Sequence, residues 1–339
     1  MLKNLLIFIT LFTGLHADNL TRKKDDVQFS IELGAKTDFW NPGVSGNVLG
    51  YDTEGLLLGL GKFKVKIYDT EVLSLEKFQT FKSSTNQNNL LAEYQDDKKH
   101  ESTIDGVRLS LHLMKMINYF FDKDWLTGLN YEYNTRNFMG VGTLLQNSIY
   151  WYGNINGGVL NRDYSQLEKG NKLLFQTKFA GHKLFYQFDN IVTSLKGSYI
   201  SVGAFDETWS KPTFIGDSGL NGELPIIFDS NYYSKGITVG MGITTNSLDI
   251  KTYVDYGLDN SMKIIQKDSS SVNYSKDITM YMMGFSVNYR FADVYSNRLF
   301  NTDILIGTNM QYSKITEDQN KNLDAETLYG VNFGIEVTF

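Results

Sequence analysis

"GVNFGIEVTF" runs from Gly330 to Phe339 and closes the chain. Val331, Phe333, Ile335, Val337 and Phe339 alternate with Asn332, Gly334, Glu336 and Thr338. An alternation of period two marks a strand with one apolar face. The same pattern recurs upstream. "VQFSIELGAK" sets Val27, Phe29, Ile31, Leu33 and Ala35 against Gln28, Ser30, Glu32, Gly34 and Lys36. "KFKVKIY" sets Phe63, Val65 and Ile67 against Lys62, Lys64 and Lys66, and "VRLSLHL" (107–113), "KGITVGMGITT" (235–245) and "YMMGFSVNYRF" (281–291) alternate likewise. These segments run to about ten residues, the length of a tilted membrane strand and longer than the ~5–6 of a soluble sheet. Aromatic residues gather at their ends, as in "INYFFDKDW" (117–125) and "IYWYG" (149–153), in the manner of interfacial girdles.

Composition narrows the class. The 339 residues are 42% apolar and 21% charged, with 14% aromatics, three prolines (Pro42, Pro212, Pro225) and no cysteine. This excludes a disordered chain, disulfides, thiolate nucleophiles and Cys-based zinc sites. Lys3, the apolar run Leu5–Leu15 and a small residue at Ala17 read as a cleaved signal peptide over 1–17, leaving 18–339 as one domain. Loss of Lys3 takes the net charge from −6 to about −7, which argues against a nucleic-acid partner. No later apolar stretch is long enough for a membrane helix, so an exported chain of this kind crosses a bilayer as a closed barrel.

The expected fold is all-β, an antiparallel transmembrane β-barrel of about fourteen strands, with twelve or sixteen as the neighbouring even counts. The strands fall near 27–37, 55–68, 71–82, 104–119, 125–136, 142–152, 171–180, 184–193, 197–205, 235–245, 247–257, 276–291, 299–312 and 327–339. For 104–119 the strict alternation over Val107–Leu113 favours strand over helix. An even count puts both termini on the periplasmic side, with long polar connections on the opposite rim. The segment 153–170 fits this badly, being long yet periplasmic. All three prolines fall in expected loops, as they must where lipid cannot replace a lost ladder bond.

The last eight residues, "NFGIEVTF", carry Asn332, Gly334, Val337 and Phe339. This resembles the C-terminal recognition signal of Gram-negative outer-membrane barrels. The resemblance implies an outer-membrane location and, as partners, the barrel-assembly machinery, outer-membrane lipid and lipopolysaccharide. It names no particular family.

Inside such a barrel, strand parity aims Lys62, Lys64 and Lys66 inward from one strand, spaced roughly 7 Å apart. Arg108, Glu132, Lys178, Asp249, Lys251, Asp255 and Arg290 are further pore-lining candidates, with Glu32, Asp189, Asp303 and Glu336 beside them. These charges either line a polar pore or neutralise one another in cross-strand pairs. The long stretch 206–234, rich in apolar residues such as Trp209 and Phe228, is expected to fold inward as a constriction. The glycines of "GLGKFK" and "GVGT" read as close-packed wall positions. The function expected is a porin-like channel for passive diffusion of small polar solutes, with no cofactor and no metal, in a monomer or homo-oligomer. The rivals are a non-conducting adhesin or structural barrel and a lipid-acting barrel enzyme. The latter rests on His100-x-Ser102, which resembles the His-x-Ser pair of outer-membrane phospholipases, with Asn134 as the third member; here Thr103-Ile104 stand where that family has Asn-Gly.

Overall fold

The computed structural model of the chain describes residues 27–41, 43, 49–51, 56–67, 70–81, 91–94, 102–121, 127–145, 149–151, 155–156, 159–160, 165–167, 169–170, 172–215, 226–265, 271–274, 278–297, 300–317 and 325–339. Residues 1–17, expected as a signal peptide, and His100 lie outside them.

Twelve long strands form the wall: β1 (Val27–Asn41), β2 (Leu56–Ile67), β3 (Thr70–Thr80), β4 (Thr103–Leu111), β5 (Leu129–Leu144), β6 (Lys172–Asp189), β7 (Ser198–Ile215), β8 (Ile226–Thr244), β9 (Leu248–Ile265), β10 (Ile278–Ser296), β11 (Asn301–Glu317) and β12 (Glu326–Thr338). Each is antiparallel to its neighbour in sequence. β12 then pairs with β1, from Ser30 opposite Thr338 to Asn41 opposite Thr327, which closes the sheet. Closure leaves no unpaired edge, the condition for a sheet to sit in lipid.

The expected count of fourteen is corrected to twelve. Segments 171–180 and 184–193 are one strand, β6, which runs straight through Gly181 and His182. Segment 125–136 and the start of 142–152 merge into β5. With twelve strands the connection 145–171 moves to the rim opposite the C-terminus, and its misfit disappears.

Segment 104–119 is also corrected. β4 stops at Leu111 and a nine-residue helix, α1 (Leu113–Phe121), follows. Leu111 pairs with Leu73 and Tyr131, close to the ends of both neighbours. Beyond that point the backbone has few ladder partners, so it satisfies its own groups as a helix. Leu113, Met114, Lys115 and Met116 are good helix formers. Met116 and Tyr119 pack on Val65, Ile67 and Val72, so α1 folds back against the wall at the C-terminal rim.

Parity divides the wall cleanly. Ile31, Leu33, Ile237, Val239, Met241, Phe285, Val331, Phe333 and Ile335 are exposed, while Ser30, Glu32, Lys36, Lys64, Thr238, Asp255 and Glu336 are buried. Apolar residues therefore face out, and the interior towards the C-terminal end is polar, the reverse of a soluble barrel. The outer apolar band has a sharp upper edge. His182 stands opposite Asp206, Asp206 opposite Lys235 and Lys235 opposite Asp259, an outward-facing polar row across four strands. Lys235 and Asp206 pair at 3.1 Å with their side chains 63% and 52% exposed. From Lys235 to Ile243 the band covers about 26 Å of strand, or roughly 20 Å along the barrel axis at the usual tilt.

Above that row the strands continue out of the lipid. Here the expectation for 206–234 is corrected for its described residues, which are strand rather than inward-folded loop; 216–225 lie outside the described residues. Residues 206–215 and 226–234 extend β7 and β8 as a long hairpin. Pro212, expected in a loop, lies on β7 opposite Asp229. A missing ladder bond is tolerable there because water can replace it.

Candidate functional site: the barrel interior

The interior holds three tiers of side chains. At the C-terminal end Glu336 of β12 is the hub. Its carboxylate accepts from Lys64 Nζ at 2.5 Å, Lys66 Nζ at 2.8 Å and Arg290 at 3.0 Å. Lys64 also reaches Glu32 at 2.9 Å, and Arg290 reaches Asp303 at 3.1 Å. The register makes this possible: Glu336 lies opposite Glu32 on one side and Asp303 on the other, and Glu32 lies opposite Lys62. Two carboxylates side by side on the wall require the cations that bracket them. Lys62 stands 3.7 Å from Glu71, Arg108 stands 3.6 Å from Glu76, and Lys251 pairs with Asp249 at 3.1 Å.

Midway up the barrel Lys183 of β6 pairs with Asp255 of β9 and lies 3.8 Å from the centroid of the Tyr253 ring. β6 and β9 are not neighbours, so this pair reaches across the interior past β7 and β8. Glu207 of β7 is buried beside it.

The third tier spans the barrel. Arg136 of β5 meets Glu326 of β12 at 2.5 Å and Gln311 of β11 at 3.3 Å. Glu326 also accepts from the Trp40 indole of β1 at 3.0 Å, and the Trp40 ring packs on Phe138 of β5. The Arg136 guanidinium lies 5.5 Å from the Phe179 ring centroid and 5.7 Å from that of Trp209. Phe179 and Trp209 open an apolar cluster with Tyr232, Met262, Ile278, Met280, Met282 and Ile315. All these side chains are nearly inaccessible to solvent. Packed aromatic rings and a two-sided ion pair thus occupy the interior at this level.

Of the pore-lining candidates, Lys62, Lys64, Lys66, Arg108, Glu132, Asp249, Lys251, Asp255 and Arg290 take interior register positions. All of these but Glu132 stand in ion pairs rather than in a free cationic ladder. Lys178 is corrected: it shares the outer parity of Leu184 and is exposed, four residues above the His182 row. The sequence reading had broken β6 into two, so the parity of its first half was set independently and wrongly. Lys36, Arg136, Lys183 and Glu326 were missed. Arg136 was legible, since it continues the alternation of Glu132 and Asn134. Asn134, the proposed partner of a His100–Ser102 pair, faces Arg108, whereas Thr103, next to Ser102, faces Met139. It therefore lies five positions along β5 from the residue opposite Thr103, out of line with Ser102.

A closed antiparallel barrel with this outer belt and this polar interior has the architecture of a transmembrane β-barrel. No family model matches the chain and no curated protein matches it. Solved structures similar to it include the outer membrane protease OmpT of Escherichia coli, with 10% identity over 95% of this chain and 99% of that one and a TM-score of 0.34. Another is OmpT of Vibrio cholerae, an outer membrane protein, at 7% identity, 92% and 97% coverage and a TM-score of 0.32. A third is the toluene transporter TodX of P. putida, at 9% identity, 93% and 90% coverage and a TM-score of 0.28. At this level of likeness they carry no argument about what the chain does.

Proposed function

We propose that the protein is an outer-membrane channel for small hydrophilic solutes whose lumen is held shut by the tier of Arg136, Glu326, Trp40 and Phe138. The observation that carries this reading is the charged interior wall. Burying an ion pair is often no better for stability than apolar packing of the same volume. A barrel serving only as a scaffold has no need of Glu336 with three cations around it, or of Lys183 and Asp255 reaching across two strands. A hydrated path for polar solutes has such a need. The outer belt and the terminal Phe339 support the outer-membrane location, and the assembly machinery would read the terminal strand. The paired charges favour neither cations nor anions.

A second reading, a sealed barrel acting through its extracellular hairpins, is favoured by the apolar filling around Phe179 and Trp209. Swelling of liposomes carrying the protein separates the two. The channel reading expects uptake of small sugars by liposomes carrying Arg136→Ala, above that of wild type. Absence of uptake with both proteins supports the sealed barrel.

A further inference from the structure

The C-terminal rim is apolar in one sector, where connections exposed to water are normally polar. The turn from β6 to β7 exposes Ile191, Val192 and Leu195. It is an ordered turn. Val192 N–H donates to Ser198 Oγ at 3.0 Å, Leu195 N–H to the Val192 carbonyl at 2.9 Å, and Gly197 N–H to Asn190 Oδ1 at 3.2 Å. Asn190 and Gly197 bracket it with φ of 57° and 81°, the left-handed region that Asn and Gly adopt most readily. The three apolar side chains are thus held outward by a defined backbone. The β8–β9 turn on the same rim, by contrast, is Thr245, Asn246 and Ser247.

α1 stands beside this turn. Lys115 lies 4.0 Å from Asp189, at the foot of β6. Met116 and Tyr119 face the wall, while Ile117 and Phe121 are 41% and 70% exposed. The helix is therefore apolar on two sides, and its barrel contacts use only one of them. The exposed apolar surface also continues that of the belt. Leu184 and Phe188 of β6 and Ile200 and Val202 of β7 lead down the outer wall into Ile191, Val192 and Leu195.

We infer that α1 and the β6–β7 turn form a single lipid-embedded apron, with Ile117, Phe121, Ile191, Val192 and Leu195 seated among phospholipid acyl chains of the leaflet adjoining the C-terminal rim. Continuity of the β6–β7 turn with the belt selects lipid as the occupant over a periplasmic protein. An in-plane helix with one apolar face against lipid is stable at such an interface.

The inference is independent of whether the lumen conducts. The chain has no cysteine, so single-cysteine variants can be labelled cleanly. Leu195→Cys, Phe121→Cys, Thr245→Cys and Val239→Cys are labelled with an environment-sensitive fluorophore and folded into phosphatidylcholine vesicles. Quenching is compared between lipids carrying a nitroxide near the headgroup end of the acyl chain and aqueous iodide. Ile191→Cys replaces Leu195→Cys should the latter not fold. The expected result is loss of emission at 195 and 121 with the nitroxide lipid and protection from iodide, with Thr245 behaving in the opposite way. Iodide quenching at 195 and 121 equal to that at 245, with Val239 quenched by lipid, overturns the apron and leaves the surface to a protein partner. Failure of lipid quenching at Val239 itself overturns the membrane reading and the apron together.

Discussion

Arg136 and Glu326 meet at 2.5 Å although four strands of wall separate β5 from β12 in one direction and six in the other. Their side chains are 5% and 3% exposed, so the contact crosses a filled interior. Removing one partner leaves a buried charge alone, at a cost of about 3–5 kcal/mol. Arg136→Ala is therefore expected to lower stability by that order in urea titrations of the protein folded in vesicles. Arg136→Met combined with Glu326→Leu should recover most of the loss. Equal stability of the single variant and wild type would count against the pairing.

The glycine opposite Tyr253 makes a second prediction. Gly284 on β10 faces Tyr253 on β9, and a Cβ built at Gly284 overlaps the tyrosine ring. That ring in turn lies under the Lys183 ammonium. Gly284→Ala should push the ring off its site and destabilise by about 1–3 kcal/mol, as overpacking does. Gly61→Ala is the control, because nothing lies within 4 Å of its Cβ position. Equal urea midpoints for the two variants would contradict this packing.

Acid should weaken the rim near α1. His112, between β4 and α1, has its pKa lowered to about 4 by burial, with Lys115 and Lys251 adding to the effect and Glu71 and Asp189 opposing it. Its Nδ1 is buried without a hydrogen-bond partner among the described residues. The unfolded chain takes up this proton near its ordinary pKa of 6.5, while the folded chain does so only near 4. Stability from this group is thus complete above about 6.5 and declines as pH falls towards 4. His112→Gln should flatten that part of the stability–pH curve. An unchanged slope would show that His112 is not the group responsible.

The terminal residue closes the wall. Phe339 N–H donates to the Phe29 carbonyl at 2.8 Å, Phe29 N–H donates back at 3.3 Å, and the Phe339 ring stands 6.3 Å from that of Phe300. Deletion of Phe339 removes the last closing hydrogen bonds as well as the aromatic of the proposed assembly signal. Surface-exposed folded protein in cells should fall sharply, while Phe339→Tyr should restore it. Normal insertion of the deletion variant would refute the role given to this residue.

What the sequence made legible follows from the period of the strand. Alternation alone separated Val331, Phe333, Ile335 and Phe339, which are exposed, from Glu336, which is buried. The same parity put Lys64, Glu32, Arg290 and Glu336 on one interior face, close enough to pair. Three things were not legible. Strand length was hidden because β7 and β8 leave the lipid above Asp206 and Lys235, where the apolar–polar pattern no longer holds. The helix α1 was hidden because Leu111 and Leu113 continue the alternation, and the loss of ladder partners after Leu111 is a property of the neighbouring strands. The spanning tier was hidden because Arg136 and Glu326 lie 190 residues apart, and only the curvature of the closed sheet makes them face each other.

Single-channel recording in planar bilayers, comparing wild type with Glu326→Gln, bears most directly on the closed-channel reading. The substitution keeps the side-chain shape but removes the charge that holds Arg136 across the lumen. The account predicts that wild type is shut for most of the record and that Glu326→Gln opens to a stable conductance. A wild type that conducts steadily, or a folded Glu326→Gln barrel that never conducts, would contradict it.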